Sequence, residues 1–297
     1  MKIAVISDLH GNHHALAAVL NDLSRKDVDE IICAGDVVDP LPGSAQVMRM
    51  LEERGIPTLR GNHEDYVLRA LSAPAEDPMT YGPNWEPVRQ VARSLNTEQI
   101  EAIKSWPLFF RRRDPVAGDL VICHASPGAT QSGWFRGISE ELGAELKDLD
   151  AGTFVCGHWH RQKIESWQSI QLVSIGSVGM SLHGKPEAEF VILEAAGGRW
   201  NATHVNIPYD REAAWREYRD SGWVEEGGPT AWLLFDELRL GVRRMTPFIA
   251  WAQDRKTHAQ WPYRDRNELK SAIATYLVEV GAWNDLRQTL QIQGGLT

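Results

Sequence analysis

Cysteine is scarce in this sequence of 297 residues, which contains three of them. Cys33, Cys123 and Cys156 each lie inside an apolar, strand-like run, and none has the paired spacing of a zinc or redox motif. This spacing excludes a cysteine-based metal site, and the chain is long enough to bury a core that needs no disulfides. We expect three buried, reduced thiols.

Long apolar runs are also missing. No segment approaches the roughly 18 consecutive apolar residues that a membrane-spanning helix requires. The first apolar stretch, Ile3 to Ile6, is followed closely by Asp8 and His10 and is too short for a signal peptide. The sequence therefore predicts a cytoplasmic protein without a membrane partner.

Positive charge is in short supply as well, because 31 Lys and Arg residues face 40 Asp and Glu residues, for a net charge of −9. Such a surface repels nucleic acids and anionic membranes, so we expect no general nucleic-acid binding. Hydrophobic residues make up 43% and charged residues 24% of the chain, which is typical of a soluble globular protein and excludes a disordered one.

The polar residues of interest occur in five short motifs. Four of the five follow a run of apolar residues, and the remaining one follows Thr58-Leu59-Arg60. Sites in α/β proteins form where strands end, although any one of these motifs alone is typical of a turn. In chain order the motifs are Ser7–Asn12, Gly35–Asp39, Gly61–Glu64, His124 and Gly157–His160.

The side chains of these motifs are donors for metal ions. Two aspartates, four histidines and one asparagine offer oxygen and nitrogen atoms, with Asp36 shared, and this set suits a pair of borderline metals such as manganese, iron or zinc. The five motifs together therefore predict a dinuclear metal site.

The order of the motifs, D-x-H, G-D-x-x-D, G-N-H-E, H and G-H-x-H, resembles that of the calcineurin-like metallophosphoesterase superfamily, in its bacterial phosphodiesterase-like branch. The resemblance covers about residues 1 to 207 and includes every motif residue. It implies a metal-dependent phosphoesterase whose cofactors are two divalent transition-metal ions. We expect manganese first, with iron, zinc or nickel as alternatives.

The resemblance also assigns the metal ligands. The carboxylate of Asp36 bridges the two ions, and a water between them would lose its proton near neutral pH and attack phosphorus in line. The remaining ligands are Asp8, His10 and His160 for one ion, and Asn62, His124 and His158 for the other.

His63 is left without a metal, although it neighbours a ligand. We expect His63 to donate a proton or a hydrogen bond to the phosphate or the leaving oxygen, with Asp39 orienting its ring. The alternative for Asp39 is a cap on the following turn. Asn12, Arg60 and Asn62 are the expected substrate contacts, although a solvated surface position for Arg60 fits the sequence equally well.

Apolar periodicity predicts a β-α-β-α-β progression at the start of the chain and short, turn-separated strands from residue 108 to residue 207. Together these patterns predict an α/β fold, a four-layer α/β/β/α sandwich of two sheets. We expect helices at 12–23 and 43–54, and strands at 2–7, 31–34, 56–59, 108–113, 120–123, 153–156, 163–167, 170–175, 189–193 and 200–207.

Residues 74–106 interrupt this pattern with four prolines and two helical stretches, around 88–95 and 98–103. We expect a helical insertion that shapes access to the site.

The chain changes again after residue 207, where the pattern becomes helical and includes half of the twelve tryptophans. We therefore divide the chain into a metallophosphoesterase domain, 1–207, and a helical C-terminal extension, 208–297. The extension is expected to cover the sandwich or to form a dimer contact, and to carry no catalytic group. Its predicted helices are at 211–219 and 233–251, with a pair or one bent helix at 269–290.

The leading functional prediction is hydrolysis of phosphodiesters or small phosphomonoesters, with a small phosphate ester such as a nucleotide as substrate. A phosphoprotein phosphatase or a dinucleoside-polyphosphate hydrolase is the alternative, because Leu59–Glu64 is similar to those branches. Against it, Pro40 stands where the protein phosphatases carry a phosphate-clamping arginine. A non-catalytic scaffold is the remote alternative, opposed by the presence of every ligand. A homo-oligomer is left open.

Overall fold

In the computed structural model, which describes residues 1–185, 187–255 and 263–292, strands are concentrated before residue 208 and helices alone follow. None of the helices among these residues is both long and apolar enough to cross a bilayer. The strands are β1 (Lys2–Ile6), β2 (Glu30–Cys33), β3 (Phe109–Arg112), β4 (Asp119–Cys123), β5 (Ala151–Cys156), β6 (Gln162–Trp167), β7 (Ile170–Ile175), β8 (Ala188–Ala196) and β9 (Arg199–Ile207). The helices are α1 (His13–Leu23), α2 (Ser44–Glu52), α3 (Asn62–Ser72), α4 (Pro78–Tyr81), α5 (Glu86–Ser94), α6 (Thr97–Ser105), α7 (Glu140–Asp148), α8 (Arg211–Asp220), α9 (Trp223–Glu226), α10 (Gly228–Leu240), α11 (Met245–Asp254), α12 (Arg266–Glu279) and α13 (Trp283–Leu290), with a 3₁₀ turn at Pro83–Trp85.

The strands form two mixed sheets. The first has the order β2-β1-β8-β9, and the second has the order β3-β4-β5-β7-β6. Strands β1 and β2 run parallel, with Ile6 beside Cys33, and β4 and β5 run parallel, with Cys123 beside Cys156. Parallel neighbours end at the same edge of a sheet, so the loops that follow these four strands leave the sheets side by side.

The two sheets pack face to face through an apolar core. Ile3 and Val5 of the first sheet and Val155 and Val173 of the second are fully buried in it, and Trp200 closes it at one end. Helices α1, α2, α3, α5 and α6 cover the outer face of the first sheet, and α7 covers the outer face of the second. The predicted four-layer α/β/β/α sandwich is therefore confirmed, and the three cysteines are buried, free thiols as expected.

The predicted third strand, at 56–59, is reduced to a single parallel bridge between Cys33 and Thr58. Pro57 has no N–H to donate to a ladder. The N–H of Arg60 turns away to the carbonyl of Pro107, at 2.9 Å. The ladder therefore ends after one residue pair.

The predicted helix at 233–251 is two helices, α10 and α11, and the segment 269–290 is likewise a pair, α12 and α13. Gly241 and Gly281 lie between the members of each pair with φ of 67° and 70°. A left-handed residue ends an α-helix, and glycine adopts this conformation without a steric penalty.

The helices after residue 207 share an apolar cluster centred on α10. Trp223, Phe235 and Leu277 are buried in this cluster, and Leu41 and Met180 from the loops of the sandwich join it. The helices therefore pack against the sandwich through side chains that both parts contribute.

Replacing Phe235 with alanine should lower the free energy of unfolding by about 3–5 kcal/mol, because the side chain is fully buried and leaves a cavity. Urea unfolding followed by circular dichroism measures the change. Val278→Ala on α12 is the matched control, since Val278 is 48% exposed and its truncation should cost less than about 0.5 kcal/mol. Equal losses for the two variants would contradict the packing of α10.

Candidate metal centre

The backbone at the strand ends is bent sharply at the predicted ligands. Five of the seven predicted metal ligands have φ between 49° and 66°, namely Asp8, His10, Asp36, His158 and His160. Residues with a side chain adopt this left-handed region at a cost, and they do so mainly where a site requires it. The loops are held by cross-loop hydrogen bonds, such as that from the His10 N–H to the Asp36 carbonyl, at 2.9 Å.

The third motif begins helix α3 rather than ending a strand, and its glutamate holds the second motif in place. Glu64 is fully buried, and its carboxylate accepts hydrogen bonds from the N–H groups of Asp36, Val37, Val38 and Gly61, at 2.7 to 3.1 Å. Burial and the charge of Asp36 raise the pKa of Glu64 to about 7, against the effect of these hydrogen bonds. Sequence reasoning assigned no role to Glu64, although a glutamate three residues after a helix start is a recognised capping signal.

Gly61 is required for this arrangement. A Cβ at this position would lie 2.2 Å from Oδ1 of Asp36 and 2.5 Å from its backbone nitrogen. The two loops therefore approach each other more closely than any other residue at this position would permit.

The first predicted ligand set comes together around two imidazoles. The Nε2 atoms of His10 and His160 lie 3.0 Å apart, and Oδ1 of Asp8 is 3.2 Å from Nε2 of His160. The Nδ1 atom of His10 donates to the carbonyl of Asp39, at 2.6 Å, and that of His160 donates to the carbonyl of Met180, at 2.7 Å. These bonds fix the tautomers and leave both Nε2 lone pairs directed at one point.

The second set is equally close. His124 Nε2 lies 3.0 Å from Oδ1 of Asn62, 3.2 Å from Oδ2 of Asp36 and 3.3 Å from Nδ1 of His158. Its Nδ1 atom donates to the carbonyl of Ala34, at 3.0 Å. The structure thus brings together all seven predicted ligands.

Asp36 lies between the two sets. Its Oδ2 atom is within 3.2 Å of Nε2 of His124 and within 3.9 Å of Nε2 of His10. A carboxylate in this position can bind an ion on each side.

The protonation of the cluster suits cations. Burial disfavours the charged forms of Asp8 and Asp36, but the surrounding histidines outweigh it and lower both carboxyl pKa values. Burial, together with neighbouring histidines, lowers the pKa of His10 to about 3 and that of His158 to about 4, so both rings are neutral. Neutral ring nitrogens, carboxylates and an amide oxygen that converge in a buried space fit a pair of divalent borderline metals.

His124 differs from these rings. Burial opposes its protonation, but the charge of Asp36 and a hydrogen bond to it prevail and raise the pKa of His124 to about 9. A metal ion that binds here would therefore displace a proton.

His63 lies beside the ligands and pairs with Asp39. Its Nδ1 atom is 2.6 Å from Oδ2 of Asp39, and its backbone N–H donates to Oδ1 of Asp36, at 2.9 Å. Burial works against the charged ring, but Asp36 and Asp39 outweigh it and raise the pKa of His63 to about 9. Burial raises the pKa of Asp39, against the effect of its hydrogen bond to His63. The alternative role of Asp39 as a turn cap is not seen among the described residues, because Oδ2 pairs with His63 and Oδ1 has no hydrogen-bond partner.

A cavity of about 210 Å³ opens onto the cluster. Ligand pockets are commonly about 300–1,000 Å³, so this one is small. Its lining from the motifs is His10, Asp36, Asn62, His63, His158 and His160, and its remaining lining is Pro40, Met180, Leu182, Leu234, Glu237, Arg243, Met245 and Thr246.

Two predicted substrate contacts, Asn12 and Arg60, are not among these lining residues. Asn12 is fully buried at the start of α1, where Oδ1 accepts from the Ala15 N–H and both Nδ2 hydrogens are used by the Gly179 carbonyl and the Tyr209 hydroxyl. Nε of Arg60 lies 3.3 Å from Oδ1 of Asp65. The side chains are turned to protein partners instead, and as substrate contacts both residues stay predictions.

The C-terminal extension contributes to the cavity wall, which sequence reasoning missed. The loop between α10 and α11 reaches the cavity because Glu237, 4% exposed, accepts the N–H groups of Arg244 and Met245, at 2.7 and 2.8 Å. Asp236, fully buried, accepts from the guanidinium of Arg244, at 2.7 Å. Two adjacent acidic residues in an otherwise apolar helix are the signal that could have indicated this role.

This chain is similar to known proteins in sequence and in fold. Residues 1–198 match a family model described as the calcineurin-like phosphoesterase superfamily domain. An uncharacterised protein of Methanocaldococcus jannaschii is 28% identical over 236 residues, which is 72% of this chain and 90% of that protein. A crystal structure of a metallophosphoesterase from Sphaerobacter thermophilus is 22% identical, covers 82% of this chain and 99% of its own, and superposes with a TM-score of 0.61. A hypothetical protein from Pyrococcus horikoshii, 15% identical with the same coverage of both chains, gives a TM-score of 0.65.

The family model covers every motif of the metal cluster and all strands of the two sheets except β9. This chain therefore belongs to the calcineurin-like phosphoesterase superfamily and is a metal-dependent phosphoesterase.

Proposed function

We propose that this protein hydrolyses phosphodiesters or small phosphomonoesters at a dinuclear metal centre. The position of the Asp36 carboxylate between two separate sets of donor atoms supports this proposal most strongly. The ligands are Asp8, His10 and His160 for one ion and Asn62, His124 and His158 for the other, with Asp36 shared.

Two ions held by these residues would supply charge neutralisation for the phosphate oxygens and would lower the pKa of a water molecule. The protein holds the donors rigidly for this purpose, since the Nδ1 atoms of His10, His124 and His160 are each bonded to a backbone carbonyl. Mixed carboxylate, amide and imidazole donors suit manganese, with iron, zinc or nickel as alternatives.

His63 has the position of a proton donor to the leaving oxygen. It lines the cavity, and Asp39 holds its Nδ1 at 2.6 Å, which leaves Nε2 for the substrate. Asp39 acts as a positioning residue through His63.

The proposal as a whole is tested by assaying the purified protein with manganese against bis-p-nitrophenyl phosphate, p-nitrophenyl phosphate, cyclic nucleotides and dinucleoside polyphosphates. We expect hydrolysis of at least one small ester that stops when a chelator removes the metal. Hydrolysis that continues in the chelator, or no hydrolysis of any ester, would contradict the proposal.

Replacing Asp36 with asparagine should remove both ions, because the shared carboxylate supplies charge to each of them. Metal content per protein after dialysis, measured by plasma mass spectrometry, gives the occupancy. Activity on bis-p-nitrophenyl phosphate should fall by more than about 100-fold, beyond the loss usual for a residue that merely supports a ligand.

Asp119→Asn is the matched control, since Asp119 pairs with Arg111 on the second sheet and leaves the cluster unchanged. A fully occupied and active Asp36→Asn protein would show that the carboxylate does not bridge.

His63→Asn should slow the hydrolysis of esters with poor leaving groups much more than that of bis-p-nitrophenyl phosphate. The reason is that p-nitrophenolate departs without a proton, whereas a ribose alkoxide does not. General acid catalysis is worth about 10²–10⁴ in rate, which is the upper limit of the loss on a nucleotide ester. Steady-state kinetics on both substrates, with metal content measured in parallel, gives the comparison.

Asp39→Asn should show the same selectivity more weakly, since the ring would be misoriented rather than absent. An equal loss on both substrates would assign His63 to phosphate binding instead, and a loss of metal would assign it to the support of Asn62.

A further inference from the structure

Arg243 is the one arginine or lysine among the described residues that line the metal cavity. It is half-buried on the loop between α10 and α11. One of its N–H groups donates to the carbonyl of Trp159, at 2.9 Å. Within residues 1–185, 187–255 and 263–292, no carboxylate lies within 4.0 Å of its guanidinium nitrogens.

The loop that carries Arg243 is fixed rather than free. Glu237 accepts the N–H groups of Arg244 and Met245, and the Asp236 carboxylate accepts from Arg244 and from Arg239. The buried acids of α10 are thus occupied by other partners, and Arg243 keeps most of its five donors for a ligand.

A half-buried guanidinium that has no carboxylate at ion-pair distance within the described part of the chain is unusual, because taking a charge out of water costs free energy. Arginine offers two parallel N–H groups that match a phosphate or a carboxylate. This position in a cavity that receives phosphate esters is therefore suited to an anion.

Arg243 enters the cavity on the loop between α10 and α11, whereas the predicted metal ligands enter it from the motifs of the sandwich. Burial lowers the pKa of Arg243, and the charged neighbours that shift it are Arg161 and Glu237. In the proposed function the two ions and His63 serve the reacting phosphate, so Arg243 is left for a second anion.

We propose that Arg243 forms a second anion subsite, which binds a phosphate or carboxylate group that the substrate carries next to the ester being cleaved. This inference rests on the proposed function, because the reacting phosphate must occupy the metal centre. It narrows the expected substrates to phosphate esters that carry a second anionic group, such as nucleoside diphosphates and phosphorylated hydroxy acids. The cluster residues and Arg243 line the same cavity of about 210 Å³, which places both within reach of one small substrate.

The experiment measures binding by isothermal titration calorimetry to the manganese-loaded protein. Two pairs of ligands differ only in the second anion: ethyl phosphate against phosphoglycolate, and adenosine monophosphate against adenosine diphosphate. The wild type should bind the second member of at least one pair more tightly. Arg243→Met should weaken the binding of that second member by roughly 10- to 100-fold, the range for losing a charged hydrogen-bond partner. The affinity for the first member should stay unchanged.

Arg161→Met is the matched control, because Arg161 is exposed beside Trp159 and carries the same charge outside the cavity lining. It should change either affinity by less than about threefold, since exposed charges are screened by salt. Arg243→Lys is a second variant that keeps the charge but loses the paired donors. It should weaken only the binding of phosphoglycolate and adenosine diphosphate, by about 3- to 10-fold. Manganese content is measured for every variant.

A response confined to phosphoglycolate identifies the second group as a carboxylate, and one confined to adenosine diphosphate identifies it as a phosphate. The proposed subsite is refuted if the wild type binds neither phosphoglycolate nor adenosine diphosphate more tightly than its partner ligand. It is also refuted if the Arg243 variants weaken the binding of both members of a pair equally. It is also wrong if Arg161→Met has the same effect, or if the only change is a loss of manganese, which would make Arg243 a support for the loop of Trp159. Calorimetry needs no turnover, so a protein that binds selectively yet hydrolyses no ester would refute the proposed function and leave the subsite standing.

Discussion

The site depends on the buried carboxylate of Glu64, which joins two loops that come from different strands. Its four hydrogen bonds satisfy the N–H groups of Asp36, Val37, Val38 and Gly61, none of which has a strand or helix partner there. Hydrogen bonds to a charged group contribute about 1.5–3 kcal/mol each, and the same N–H groups left unsatisfied would cost a similar amount. Glu64 therefore keeps Asp36 in its strained conformation, between the two ligand sets.

The C-terminal helices use the same device on the other side of the cavity. Glu237 accepts two backbone N–H groups of the loop that contains Arg243, as Glu64 does for the loop that contains Asp36. In both cases a buried acid fixes a loop by its backbone and leaves the side chains of that loop for the cavity. The loop of Asp36 and the loop of Arg243 are thus held by separate elements of the fold.

The strain in the ligand loops requires a rigid support. A left-handed residue with a side chain costs about 1–3 kcal/mol, and five of the predicted ligands have this conformation. The close packing of the two sheets through Ile3, Val5, Val155 and Val173 fixes the strand ends from which these loops leave. The packing of the sheets thus supports the positions of the predicted donor side chains.

The sequence by itself determined the residue types, their order and the strands before them, because alternating apolar residues and short motifs are local properties of the chain. The two sheets and the convergence of the seven ligands followed from these patterns. Only the tertiary structure decided what depends on distant segments. Asn12 turned inward because Gly179 and Tyr209 lie beside it, and the strand at 56–59 ended because Pro107 takes the N–H of Arg60. Arg243 reaches the cavity through a contact with Trp159, 84 residues away in the chain, and no local pattern encodes an approach of that range.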